Sequence, residues 1–182
     1  MISVTREAVD ELIDFAKKIG VSDAKLISPR DVIVRDWVRL KCNFGCPDFG
    51  KYRTCPPYSP TPDETRKILS EYSYAILFQI ERERGSKDFM KESLKSVPEI
   101  IIKIEREAFL KGYYSAFGLA AGSCPYCAKC NLENCAHPDL ARPAMEGCGI
   151  DVFGTVSKAG YEIKVVEDEK GNPSYFALLL LA

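Results

Sequence analysis

The chain has 182 residues, enough to bury a hydrophobic core without help from a metal, so we predict a single domain over residues 1–182. Its 25 Lys and Arg residues balance 26 Asp and Glu residues, which argues against the broad basic surface that binds nucleic acid or anionic lipid. The first residues are charged throughout, and the longest apolar run, FALLLLA, is too short to span a bilayer. We therefore predict a cytoplasmic protein with no nucleic-acid partner and no membrane partner.

The first half of the chain predicts two helices and two strands. Apolar residues recur on one helical face over residues 5–19, which predicts an amphipathic helix. Alternating and β-branched residues predict strands at 25–28 and 73–81. Between them, the sequence TPDE at 61–64 forms a T-x-x-E capping box, so a second helix should begin at Pro62.

A seam of apolar residues at alternating steps of four and three follows, over residues 87–112. This seam predicts a long helix packed against a sheet. Pro98 lies inside it, and a proline in a helix interior removes one hydrogen bond. We therefore expect a kink or break near residue 96.

The last third of the chain predicts a strand over 113–121, a short helix over 151–160 and a hairpin over 161–182. The second arm of that hairpin is apolar enough to be buried on both faces. Helices and strands alternate without a strict βαβ repeat. The predicted fold class is α+β, with a mixed or antiparallel sheet and helices packed on it.

Eight cysteines fall mainly in two short segments, which we expect to be metal-binding loops at 42–55 and 124–148. Intracellular thiols are normally kept reduced, so in the cytoplasm this number argues against four disulfides. Proteins of hyperthermophiles are the exception, and the sequence, with a single Gln and many Lys and Glu residues, has some of that character. The spacing of the cysteines therefore has to decide between disulfides and metal-binding thiols.

The second cysteine segment, residues 124–135, has the spacing C-x2-C-x2-C-x4-C through Cys124, Cys127, Cys130 and Cys135. Two consecutive x2 gaps are typical of loops that bind [4Fe–4S] clusters. Structural zinc sites more often combine two C-x2-C knuckles from separate turns. The spacing favours a self-contained iron–sulfur site. Structural zinc remains an alternative, as do disulfides or free thiols, and so does an exchange in which Cys135 serves the other site.

The first cysteine segment, residues 42–55, contains Cys42, Cys46 and Cys55 at the spacing C-x3-C-x8-C. Vicinal prolines follow it, and residues 40–60 leave little room for regular structure. Three thiolates are one short of a closed site, so either a distant ligand completes it or one position stays open. Cys148 is the natural candidate for the fourth thiolate. With it, the eight cysteines divide into two sets of four ligands, which would hold one or two clusters. In its simplest alternative role, Cys148 is a small buried apolar residue.

Three sequence blocks, taken in order, resemble a known family. They are RDW with KC-x3-C-x8-CPPYSP, then C-x2-C-x2-C-x4-C-x-HP, then ARP-x-ME-x-CGIDVF, and they extend from about Asp36 to Gly160. They are similar to a family of uncharacterised prokaryotic proteins described as predicted metal-binding proteins. The resemblance implies that the eight cysteines are metal ligands and implies neither a reaction nor a particular metal.

Other residues near the cysteines are weaker candidates. His137 could replace a thiolate, although such a residue more often donates a hydrogen bond. Arg142, Glu146 and Asp151 could line a pocket beside the metal, but capping and ion pairing explain them equally well.

Basic residues surround the first segment and would stabilise a negatively charged cluster: Arg30, Arg35, Arg39, Lys41, Lys51 and Arg53. Acidic residues prevail around the second segment: Glu133, Asp139, Glu146 and Asp151. Aromatic residues in or near the first segment would exclude water or form a pocket wall: Trp37, Phe44, Phe49, Tyr52 and Tyr58.

These patterns leave three hypotheses for function. The first is an iron–sulfur protein with an electron-transfer or redox role, whose partner is a protein or a small molecule. The second is a zinc-stabilised binding or scaffold module without catalysis, and the third is non-redox chemistry at an incompletely ligated metal. The sequence contains no Walker loop, G-x-G-x-x-G, G-x-S-x-G or H-E-x-x-H motif that would support a nucleotide-binding, serine-hydrolase or zincin mechanism.

Overall fold

The computed structural model of the protein describes residues 4–82, 89–163, 165 and 172–182. Within these ranges the elements follow in the order α1 (Arg6–Lys18), β1 (Asp23–Ile27), α2 (Asp36–Gly45), α3 (Pro62–Ser70), β2 (Tyr74–Glu81), α4 (Phe89–Leu110), β3 (Phe117–Leu119), α5 (Val152–Lys158) and β4 (Ser174–Leu181). Two single turns of 3-10 helix lie at Pro29–Asp31 and Glu146–Cys148. The predicted helix starts are confirmed, because Thr5 caps α1 and the complete capping box of Thr61 and Glu64 opens α3.

The strands form one antiparallel sheet in the order β1, β2, β4, β3. β2 pairs with β4 along its whole length, from Tyr74 opposite Leu181 to Glu81 opposite Ser174. β3 pairs with the other side of β4. The α+β class with an antiparallel sheet is therefore confirmed, and β4 lies inside the sheet between two neighbours.

Side chains of β4 contribute to two hydrophobic cores, one on each face of the sheet. On one face, Leu179 packs in a core with residues of α1 and α4. On the other face, Leu178 and Leu180 pack with Met145 and Cys148. Successive side chains of a strand point to opposite faces, so a strand covered on both sides is apolar at consecutive positions. The predicted burial of this strand on both faces is confirmed.

Helix α4 runs without interruption from Phe89 to Leu110 and contains Pro98, so no break forms near residue 96, whereas the alternative of a kink there stays a prediction. A proline in a helix interior costs about 3 kcal/mol. However, Val97 and Ile101, on either side of it, are fully buried in the core beneath the sheet. Burial of each such side chain contributes about 1.5–3 kcal/mol, which outweighs the lost hydrogen bond. Neither α4, with 22 residues, nor any other helix in the described ranges is both long and apolar enough to cross a bilayer.

The predicted strand over 113–121 is reduced to the three residues of β3. Before it, the Ala116 N–H donates to the Tyr113 carbonyl across a turn, at 3.0 Å. After β3 the chain no longer pairs with β4, and Ala120 forms an isolated parallel bridge with Ala144. The chain thus leaves the sheet just before the second cysteine segment.

The predicted hairpin over 161–182 is not found among the residues that the structure describes there. Residues 161–163 and 165 of its first arm are described, and none of them lies in a strand. The turn of the predicted hairpin lies outside the described residues. β4 obtains its partners from β2 and β3, which lie far from it in the sequence.

Candidate metal centre

The first cysteine segment begins on helix α2. Cys42 lies within the helix, and Cys46 is its C-cap, one turn further along. The backbone of Cys46 is extended, with φ −100° and ψ 123°, because a residue before proline disfavours the helical conformation and Pro47 follows. The sequence predicted little regular structure over residues 40–60. That prediction is wrong at the start of the range, where α2 extends to Gly45, and this helix buries Val38.

Cys55 is reached from α2 through a series of turns, one of which is closed by the Gly50 N–H donating to the Pro56 carbonyl at 2.8 Å. Burial raises the pKa of the Cys55 thiol to about 11, and the charges of Cys46 and Cys42 contribute smaller rises. The three thiols of the first segment are therefore close enough to interact electrostatically.

The second cysteine segment lies in a stretch, residues 121–143, that contains no helix or strand. Burial raises the pKa of the Cys124 thiol, and charges on the other three cysteines, Cys130, Cys127 and Cys135, raise it further. Between Cys130 and Cys135 the loop is shaped by Asn131, whose Oδ1 accepts the backbone N–H groups two and three residues further on, at 3.0 and 3.1 Å. One irregular loop thus gathers three thiols around Cys124.

The two cysteine segments touch each other. Arg53 in the first segment donates from Nη1 to the carbonyls of Leu132 and Glu133 in the second, at 3.2 and 2.7 Å. Tyr52 lies next to both sets of thiols. Burial is the largest cause that raises its pKa, and charges on cysteines of both segments are among the smaller causes. The two sets of candidate ligands therefore form neighbouring parts of one region.

Cys148 differs from the other seven cysteines in being buried. It is 1% exposed and belongs to the hydrophobic core that covers one face of the sheet. Burial raises the pKa of its thiol to about 12, and no cysteine is among the described groups whose charges shift it. Its carbonyl accepts the Thr65 hydroxyl at 2.7 Å. The assignment of Cys148 as fourth ligand of the first site stays a prediction.

The turn that carries Cys148 is nevertheless fixed to the first segment through Arg39. Nη1 of Arg39 donates to the Gly147 carbonyl at 2.7 Å and to the Ser59 hydroxyl at 3.0 Å. Ser59 in turn donates to the same carbonyl at 2.5 Å. Burial raises the pKa of the Cys42 thiol, and the Arg39 charge opposes that rise. Arg39 therefore both positions the Cys148 turn and favours a thiolate at Cys42.

The sequence suggested that basic residues surround the first cysteine segment and acidic residues the second, but in the structure the two kinds of charge are mixed. Glu146, counted with the second segment, influences Cys42 in the first. The Glu146 side chain is exposed to solvent. Arg53, counted with the first segment, donates to carbonyls of the second. An acidic residue counted with the second segment and a basic residue counted with the first therefore each act on the other segment.

A cavity of about 490 Å³ lies where the two segments approach helix α3 and the sheet. We call it the Cys135–Cys148 cavity, because these two thiols lie in its wall. Its other lining residues are Arg53, Thr54, Tyr58, Ser59, Pro60, Thr65, Ile68, Leu69, Tyr72, Phe117, Leu119, Pro138, Ala141, Pro143 and Leu180. This cavity could not be predicted from the sequence, because its walls come from six separate parts of the chain.

The remaining candidates make several contacts, and Glu146 and Asp151 line a groove that also contains Cys42 and Cys46. Arg142 forms a bidentate ion pair with Glu105 of α4, with N–O distances of 2.7 and 2.5 Å. His137 is exposed, and its ring centroid lies 6.2 Å from that of Tyr126. Asp151 is the N-cap of α5, as expected for one of its two possible roles. The sequence did not reveal Glu105 as the partner of Arg142.

The aromatic residues of the first segment are separated in the structure. Tyr58 lines the Cys135–Cys148 cavity. Trp37 and Phe44 lie on the exposed face of α2, 45% and 86% accessible, and line a different groove with Phe153 of α5. Tyr58 and the pair Trp37 and Phe44 therefore do not form one pocket wall.

The residues present suit a thiolate-bound metal group. All eight cysteines are free thiols, which are the soft ligands of iron–sulfur clusters and zinc. Four of them gather in a loop without regular secondary structure, where backbone N–H groups are not committed to helix or sheet. Within the described ranges, no three His, Cys, Asp or Glu side chains are arranged closely enough to hold a single metal ion. The four thiols of the second segment are thus near one another without closing on one point.

Fold and site together define a cysteine-rich α+β protein with a candidate metal centre beside its sheet. A family model described as Predicted metal-binding protein (DUF2284) matches residues 25–181, and the chain belongs to this family. No curated protein and no solved structure matched the chain. The match covers both cysteine segments and Cys148, and it supports metal binding without specifying the metal.

Proposed function

We propose that the protein is an iron–sulfur protein with a redox or electron-transfer role. The second cysteine segment would hold a [4Fe–4S] cluster through Cys124, Cys127, Cys130 and Cys135. The observation that carries this proposal is that one loop brings the four thiols of the second segment together. Burial raises the pKa of the Cys124 thiol, and charges on the other three cysteines raise it further. A single loop that brings four thiols together at C-x2-C-x2-C spacing suits the separate iron corners of a cube.

The first site would use Cys42, Cys46 and Cys55, with Cys148 as the fourth ligand. The Arg39 contacts support this choice, because they fix the Cys148 turn against the first segment. Binding of Cys148 requires its thiol to turn out of the core, or the site keeps three protein ligands and one open position.

A bound cluster supplies reversible one-electron transfer. The residues around it have separate tasks. Arg39 provides positive charge near Cys42, Arg53 joins the two segments through hydrogen bonds, and Tyr52 lies beside cysteines of both. We place the protein in the cytoplasm, where its free thiols would stay reduced. Its electron partner would be another protein or a small molecule.

The experiment is purification without oxygen, followed by an absorption spectrum and analysis of iron, sulfide and zinc. We expect a brown protein with broad visible absorption and with iron and sulfide in equal amounts. Cys124→Ser and Cys55→Ser should each lower bound iron. Lys129→Ser is the matched control, because this exposed residue lies between two cysteines of the same loop. A colourless protein that contains zinc would refute the iron–sulfur proposal and leave metal binding intact.

A further inference from the structure

Arg53 belongs to the same tight turn as Cys55, a candidate ligand of the first site. The Cys55 N–H donates to the Tyr52 carbonyl at 3.0 Å, which closes a four-residue turn with Arg53 inside it. A metal that holds the Cys55 thiol therefore also restricts the backbone from which Arg53 extends.

The partner of Arg53 is a second turn, which lies between the last two cysteines of the second segment. Asn131 closes this turn, because its Oδ1 accepts the N–H groups two and three residues further on, at 3.0 and 3.1 Å. The carbonyls of Leu132 and Glu133 in the same turn accept Nη1 of Arg53 at 3.2 and 2.7 Å. A metal held by the two flanking cysteines would restrict this turn from both sides. The contact therefore joins two turns, each of which carries or adjoins candidate metal ligands.

This contact affects metal binding because residues 121–143 contain no helix or strand. A loop without regular structure loses conformational freedom when it closes on a metal, and that loss weakens binding. If the first segment is already fixed, Arg53 holds part of the loop in place and less freedom remains to be lost. Metal in the first segment therefore favours metal in the second. By linkage, metal in the second segment favours metal in the first by the same factor.

The negative charges of the two sets of thiolates oppose this effect. Tyr52 lies beside cysteines of both segments, so the two sets are neighbours. Arg53 brings a positive charge to their junction, and its side chain is exposed, so solvent and salt screen the repulsion. We therefore expect the hydrogen bonds to determine the sign of the coupling.

We propose that Arg53 couples metal binding by the two cysteine segments, so that a metal in one segment favours a metal in the other. Arg53 is a positioning residue, because it contacts the turn of the second segment and no candidate ligand atom. The coupling rests on metal binding by both segments, which belongs to the proposed function, but it holds for iron and for zinc. Coupling between two sites is typically about 5- to 150-fold, and we expect about fivefold because Arg53 is exposed.

Hydrogen–deuterium exchange of the full chain, purified without oxygen, measures how often the second turn opens. Cys55→Ser removes a candidate ligand from the first segment and leaves the second segment intact. It should nevertheless speed exchange over residues 131–134 about fivefold. Cys46→Ser repeats the test at an exposed thiol, where the substitution does not disturb packing. Circular dichroism checks that each variant keeps the fold.

A double-mutant cycle separates coupling from a general loss of stability. Arg53→Gln breaks the contact and should by itself speed exchange over residues 131–134 about fivefold. In the double variant, Cys55→Ser should add nothing further, because the connection is already broken. Lys51→Gln is the matched control, since it removes the same charge from an exposed residue of the same segment, and it should leave the exchange unchanged. The inference is overturned if the two effects multiply, or if Cys55→Ser leaves the exchange unchanged or slows it.

Iron, sulfide and zinc are measured on the same samples, so the two proposals can fail separately. A protein that contains zinc and shows the non-additive exchange refutes the iron–sulfur proposal alone. A protein that contains iron and sulfide, and in which the two effects multiply, refutes the coupling alone.

Discussion

The ion pair between Arg142 and Glu105 should be a main support of the second cysteine segment. Glu105 accepts Nε of Arg142 at 2.7 Å and Nη2 at 2.5 Å, and it also accepts the Gly118 N–H at 2.7 Å. The two side chains are only 13% and 14% exposed. One carboxylate thus connects α4, β3 and the loop that follows the cysteines.

Glu105→Gln removes the negative charge and keeps one oxygen that can accept a hydrogen bond. Removal of one partner from a buried pair costs about 3–5 kcal/mol, because the other charge stays buried. Since glutamine keeps part of the hydrogen bonding, we expect the lower end, about 3 kcal/mol. For a chain of this length, that loss lowers the melting temperature by about 6–12 °C.

Urea unfolding followed by circular dichroism measures this loss of stability. Glu107→Gln is the control on the same helix, because Glu107 lies 3.8 Å from Lys111 in a pair that is 30% and 27% exposed. We expect this control to lose less than about 1 kcal/mol. If both variants lose the same free energy of unfolding, the buried pair does not support the loop as argued.

Three further predictions concern single positions. Cys148→Ala should lower bound iron by one cluster with the circular dichroism spectrum unchanged, and full iron content would show that Cys148 is only a core residue. Gly149→Ala should destabilise the protein by more than about 1 kcal/mol, because φ is +80° there and a Cβ would lie 2.8 Å from Pro62. Gly45→Ala, with nothing within 4 Å, is its control and should be neutral or stabilising in urea unfolding. Thr61→Ala should cost about 1 kcal/mol by the same measurement through loss of the α3 capping box, and an unchanged unfolding midpoint would contradict this.

Elements specified by neighbouring residues could be predicted from the sequence. The capping box before α3 and the apolar face of α1 were both recognised, because caps and helical faces depend on residues within a few positions. No break formed near residue 96, because burial of α4 against the sheet exceeds the local cost of Pro98. Local preference was overridden there by tertiary packing.

Features formed by distant residues could not be predicted. β4 was assigned to a local hairpin, whereas its partners lie in β2 and β3. The two cysteine segments were recognised by spacing, but their contact through Arg53 depends on the fold. The burial of Cys148 in the core and the cavity beside it likewise arise only when α3, the sheet and the loops come together.

The position of β4 has a consequence for the order of events during synthesis. All eight cysteines precede β4 in the chain, yet β4 is the strand that joins β2 to β3 and covers Cys148 on one side. A nascent chain therefore presents every thiol to the solvent before the sheet can close. Oxidants and competing metals would have access during that interval, so a chaperone or a cluster-delivery system would act most usefully before β4 is inserted.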